Sequence, residues 1–132
     1  SPAQWKEGNL ICRLLNDALD EISKRDDMFC VGGDPIFVAH VEVSTNFRHA
    51  IVHWMLPLSL LEEEDDDDDG ETYMSPDVKF ALMEKMQNLL QQKGGRLQRM
   101  VHPRLRSHHP PKFRFSPTGE EFYLQEMQDL NN

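Results

Sequence analysis

The chain has 132 residues, with 14 Lys and Arg against 23 Asp and Glu, a formal net charge of −9 and 39% hydrophobic residues. That length suits one domain with one modest core, and the overall charge has the wrong sign for a surface that binds phosphate everywhere. No apolar run approaches the ~18 residues of a membrane-spanning helix, and Ser1-Pro2-Ala3-Gln4-Trp5 has neither the basic start nor the apolar stretch of a secretory signal.

From Leu10, the apolar positions Leu10, Ile11, Leu14, Leu15, Ala18, Leu19 and Ile22 recur at three- and four-residue spacing. They predict a helix with one buried stripe, Asn9 as its N-cap, and Asn16, Asp20 and Lys24 facing outward. Cys12 and Cys30 stand eighteen positions apart without a Cys-x-x-Cys pattern, and read as reduced, partly buried thiols. Gly32-Gly33-Asp34-Pro35 breaks the chain. Ile36 to Val43 is rich in β-branched and aromatic residues and predicts a strand with Phe37, Ala39, Val41 and Val43 on one face. Ser44-Thr45-Asn46 supplies a turn. Ala50 to Leu56 then predicts a second, antiparallel strand with Ala50, Val52, Trp54 and Leu56 on one face. The run Glu62 to Asp69, with Glu71, repels itself and cannot pack, which predicts a solvated, disordered acidic insertion over 62–73.

Ser75-Pro76-Asp77 marks a helix start, with a capping hydroxyl, proline at the first position and an acid in the first turn. Val78, Leu82, Met86, Leu89, Leu90 and Lys93 follow one face, and Leu97, Met100 and Val101 resume it beyond Gly94-Gly95. Two adjacent glycines in a helical period cost roughly 2 kcal/mol relative to alanine, so a kink or a break is expected there. His109-Pro110-Pro111 ends the helical region. Lys112-Phe113-Arg114-Phe115 alternates polar and apolar residues as a third strand, aromatics inward and cations outward. Pro117-Thr118-Gly119 leads into a C-terminal helical extension over 117–132 carrying Phe122, Leu124, Met127 and Leu130. The order α-β-β-α-(kink)-α-β-α, with helices on one side of three strands, defines an α+β sandwich.

Divided along this order, the charge is strongly polarised. Residues 1–61 have net charge −3, residues 62–84 net −10, residues 85–119 net +8 and residues 120–132 net −4. The nine carboxylates of Glu62 to Glu71 account for the whole excess. Lys85, Lys93, Arg96, Arg99, Arg104, Arg106, Lys112 and Arg114 occupy a 35-residue window that contains no acid. With the bare backbone of Gly94 and Gly95 at the start of a half-helix, these ten residues are the candidate RNA-binding set. Structured RNA is read largely through phosphates and shape, which suits arginine without an aromatic platform. His102, His108 and His109 have no nearby carboxylate or thiol and read as surface histidines beside that contact; His40 and His53 read as a cross-strand pair. No nucleophile triad, phosphate loop or nucleotide fingerprint is present, so no catalytic residue, metal or cofactor is expected.

Val41-Glu42-Val43-Ser44-Thr45-Asn46-Phe47-Arg48-His49-Ala50-Ile51-Val52 resembles the strand-turn-strand signature of the ribosome-binding factor A family. Arg104-Leu105-Arg106 and Pro111-Lys112-Phe113-Arg114-Phe115 are similar to that family's Leu-Arg and Pro-Glu-Leu-x-Phe segments, so the likeness spans Leu10 to about Phe115. The resemblance implies a KH-like domain of type II order over 9–116, with a helix kinked at an Ala-x-Gly step in place of the usual Gly-x-x-Gly loop. Lys93-Gly94-Gly95 stands at that step with lysine for alanine, and the acidic insertion replaces a short link. It further implies a monomeric, non-enzymatic factor that binds small-subunit rRNA near the decoding region of the maturing small ribosomal subunit and assists late rRNA processing. Other assembly factors are further potential partners. The alternative is a protein-interaction module whose acidic loop engages basic ribosomal proteins. A long Asp run inserted in a compact factor points to an organellar version, mitochondrial first, with plastid and bacterial cytoplasm as alternatives.

Overall fold

The computed structural model describes residues 1–61, 74–106 and 109–118. The first helix, α1 (Pro2–Ser23), starts two turns before the expected Asn9. A capping box, not the apolar stripe, sets its start: Gln4 N–H donates to Ser1 Oγ (3.3 Å) and Ser1 N donates to Gln4 Oε1 (3.0 Å). The stripe itself is as expected, with Ile11, Leu14, Leu15, Ala18, Leu19 and Ile22 all buried.

Gly32 and Gly33, at φ +64° and +90°, close a two-residue hairpin between β1 (Cys30–Val31) and β2 (Asp34–Pro35). Both central residues of such a turn need positive φ, which glycine adopts without strain. The main sheet comprises β3 (Phe37–Val43), β4 (His49–Met55) and β5 (Lys112–Pro117) in the order β3-β4-β5. The β3–β4 pairing is antiparallel, as expected for strands joined by a short turn, whereas β5 runs parallel to β4. A parallel neighbour requires a crossover, and this is supplied by α3 (Pro76–Lys93) and α4 (Gly95–Val101), which follow the single turn α2 (Leu58–Leu61). The start of α3 is capped as its sequence predicts, Val78 N–H donating to Ser75 Oγ at 3.3 Å.

One expected strand face is corrected. A register shift between Val38 and His40 places Val38, Val41 and Val43 in the core, while Phe37 and Ala39 are only half-buried. The extra residue of a bulge reverses the alternation on one side of it. Asn16, expected to face outward, explains how this is tolerated. Its Oδ1 accepts from Val38 N–H (2.8 Å) and its Nδ2 donates to Val38 O (3.0 Å), so the outer edge of β3 is satisfied by a side chain of α1.

The core lies between the sheet and the helices, built on Trp54, Val52 and Ala50 of β4, the α1 stripe, Leu90, Leu97 and Val101. Phe113 and Phe115 point inward from β5 and Lys112 and Arg114 outward, as predicted. Of the expected α3 face, Met86 and Leu90 are buried, Leu82 and Leu89 pack against the core, and Val78 is 51% exposed. No helix among the described residues is long and apolar enough to cross a membrane. The expected acidic insertion, His108 and the C-terminal stretch beyond Thr118 lie outside the described residues.

Candidate nucleic-acid interface

The helix breaks where the two glycines stand, and they have different roles. Gly94 keeps a right-handed conformation (φ −64°, ψ −15°), and its N–H still reaches Leu90 O at 2.7 Å. What requires glycine there is proximity: an added Cβ would collide with the Leu90 carbonyl oxygen and lie 2.5 Å from Phe115 Cε2. Gly94 is buried, so it acts as a packing residue and not as the exposed backbone that the pattern suggested. Gly95 is exposed, and its nearest neighbour would be Arg99 Nη1, 3.3 Å from a Cβ, so the guanidinium folds back over this glycine.

A groove of about 600 Å³ follows the break, between Gln87, Gln91, Gly95 and Gln98 on the helical side and Arg114 and Ser116 on the β5 side. Its floor includes Leu90, Phe113 and Phe115, and among the described residues no carboxylate lines it. Gln87 braces the groove. It accepts from Trp54 Nε1–H (2.7 Å) and donates to Phe115 O (2.7 Å), tying α3 to both β4 and β5. Gln91 and Gln98 bring amide groups that both donate and accept. Sequence reasoning missed all three glutamines, because neutral amides leave no mark on a charge count.

The ten candidate residues do not form one surface. Gly94, Gly95 and Arg114 line the groove, with Arg99 over Gly95 at its rim. Arg96 turns away to Asp26, Nη1 to Oδ2 3.3 Å. Lys85 borders a separate apolar recess with Met28, Cys30 and Leu89. Arg104 borders a small recess that Asp17 and Glu21 of α1 also line. Lys93 and Arg106 are exposed, and Lys112 faces out one strand step before Arg114.

The histidines divide similarly. His102 packs edge-on against Phe113 (5.2 Å between ring centres) with Nε2 3.1 Å from Pro111 O, a structural role that corrects its reading as a surface residue. His40 and His53 do form a cross-strand pair, stacked at 5.7 Å, with Glu42 Oε1 3.3 Å from His53 Nε2. Among the described residues no group of three or more His, Cys, Asp or Glu is placed to hold a metal. Both cysteines are free. Burial raises the Cys12 thiol above its ordinary pKa; burial and then Asp27, Asp34 and Asp26 raise that of Cys30.

No known family model matches the chain. No curated protein matches it either. Its fold is shared with a solved structure, the solution NMR structure of a Thermotoga maritima protein itself provisionally assigned as a ribosome binding factor A. The two align with a TM-score of 0.54 over 84% of this chain and 83% of that one, at 21% sequence identity. The class defined here is therefore a mixed α+β domain, a three-stranded sheet packed on helices, with the fold of that protein.

Proposed function

We propose that this chain is a non-enzymatic assembly factor of the small ribosomal subunit that docks on small-subunit rRNA through the groove at the helix break. The observation that carries the reading is a groove that no acid of the described residues lines, with bare backbone at Gly95 on one wall and Arg99 and Arg114 on its rims. A phosphate entering it meets two cations and an exposed peptide, and base edges meet the amides of Gln91 and Gln98. The element order α-β-β-α-α-β supports a KH-like domain of type II order, with the Lys93-Gly94-Gly95 break standing where KH domains carry their nucleic-acid loop. The resemblance in the β3–β4 segment supports docking near the decoding region and a part in late rRNA processing. In this reading the factor works as a monomer in an organelle, the mitochondrion first.

Titration of the full chain with an rRNA fragment at several salt concentrations tests this. If about 4–6 phosphates are contacted, the log–log slope of affinity against salt is about −3 to −5. Arg99→Glu with Arg114→Glu abolishes most of the binding. A flat salt dependence, or full binding by that pair, contradicts the assignment.

A further inference from the structure

The turn between β3 and β4 forms a second recess at the N-terminal end of β5. About 620 Å³ in volume, it is walled by Asn46, Arg48 and His49 of the turn and by Pro110 and Lys112 at the entry to β5. Among the described residues no carboxylate lines it. Glu42, on the same outward face of the sheet, pairs across to Ile51, one row beyond His49, and its carboxylate is turned toward His40 and His53.

The turn is rigidly built. Asn46 Oδ1 accepts from Ser44 Oγ–H (2.7 Å) and from Arg48 N–H (3.1 Å), His49 N–H donates to Ser44 Oγ (3.1 Å), and Phe47 N–H donates to Ser44 O (2.9 Å). Lys112 N–H donates to Arg48 O at 2.9 Å, which fastens the turn to β5. Phe47 sits at φ +57°, a conformation costing roughly 1–2 kcal/mol for a residue with a side chain. Its ring is packed against the core, so the chain is held in this shape while Arg48 and His49 remain exposed. Two exposed cations on a fastened turn and strand, beside a recess that no described carboxylate lines, suit a ligand of concentrated negative charge.

β5 links the recess to the groove through two of its outward side chains. Lys112 and Arg114 project from the same face of β5, two residues or about 7 Å apart, and Arg114 lines the groove itself. Lys112 and Arg114 thus place positive charge along the edge strand at a spacing comparable to that of successive phosphates, with Arg48 on the turn bonded to Lys112.

We propose that the recess formed by the β3–β4 turn and Lys112 binds a backbone phosphate of the same RNA strand that occupies the helix-break groove, with Arg48 as its principal cation. This rests on the RNA-docking reading above and extends it from one groove to a path over β5.

The test uses the full chain, a labelled 12-nucleotide oligouridine and fluorescence anisotropy at two or more salt concentrations. Wild type is compared with Arg48→Ala, Lys112→Ala, the double variant, Arg48→Lys and, as a control away from both sites, Lys6→Ala. The double variant is expected to bind roughly tenfold more weakly, with a log–log slope shallower by about 1–2, while Lys6→Ala matches wild type and Arg48→Lys keeps most of the affinity. Thermal melting of each variant confirms that the fold is intact, as exposed side chains imply. Unchanged affinity and slope in the double variant, with binding still lost on Arg99→Glu, overturns the recess and leaves the groove reading standing. No RNA binding by wild type overturns both. Equal binding of polyglutamate, lost in the double variant, overturns phosphate as the ligand in favour of an acidic protein segment.

Discussion

Gly94 lies against the ring of Phe115 so closely that a Cβ on the glycine would stand 2.5 Å from Phe115 Cε2. The break between α3 and α4 is thus a packing device that lets the helical layer approach β5, and the groove opens beside it. Gly94→Ala is expected to destabilise the fold by about 1–3 kcal/mol, because the ring or the helix must shift. Gly95→Ala meets only the flexible end of Arg99 and is expected to be neutral or to stabilise by up to ~1 kcal/mol through helix propensity. Urea denaturation of the two variants checks the contrast. Equal losses would show that both glycines serve the backbone alone.

Asn16 takes the place of a fourth strand at one point of the sheet. Replacing it with alanine leaves Val38 N–H without its partner and Val38 O with only the weak Cys12 S–H donor, at an expected cost of about 1–3 kcal/mol. Asn16→Asp retains the acceptor but sets a carboxylate against Val38 O, so it should not restore stability. The urea midpoint of the two variants measures this, and wild-type stability in either would remove the edge-satisfying role.

The thiols give a pH-dependent readout. A raised pKa means less thiolate at a given pH, and thiolate is the reactive form. Cys12 also donates its S–H to Val38 O at 3.4 Å. In the folded chain both cysteines should alkylate more slowly at pH 8 than a free thiol, with the rate still rising above pH 9 and the difference vanishing in urea. Mass spectrometry of iodoacetamide-treated samples follows it. A reactive, low-pKa Cys30 would contradict the burial and the surrounding Asp27, Asp34 and Asp26.

Much of this fold was legible because its signals are local and periodic. The α1 stripe, the Ser75 cap, the β3–β4 hairpin and the inward Phe113 and Phe115 each follow from spacing of two or of three to four residues. The misreadings arose where tertiary contacts decide. A bulge at Ala39 is invisible to strict alternation, and Asn16 looks solvent-facing until the strand edge it satisfies is in place. The site was legible in its charge and not in its geometry. A count over residues 85–119 gathers Arg96, Arg104 and Lys85 with Arg99 and Arg114, yet the fold pairs Arg96 with Asp26 and places Arg104 and Lys85 at two other recesses. The same count omits Arg48, which lies in a net-negative stretch and joins Lys112 only through the parallel β4–β5 pairing.

The acidic stretch distinguishes RNA docking from the alternative of a protein-interaction module. Deleting Glu62 to Glu71 removes nine carboxylates and brings the formal charge of the remainder to zero. RNA binding is then expected to persist or to strengthen, most clearly at low salt, where screening is weakest. Loss of capture of basic ribosomal proteins with no change in RNA affinity would favour the interaction module.

Ultraviolet crosslinking in native particles, with sequencing of the RNA attached to the full chain and mass spectrometry of the attached peptides, addresses both partner and surface. RNA docking at the helix break predicts small-subunit rRNA, crosslinked within the α3–α4 break and β5, on peptides that carry Gly95, Arg99 and Arg114. Crosslinks confined to large-subunit or non-ribosomal RNA, or to the exposed face of α1, would contradict it.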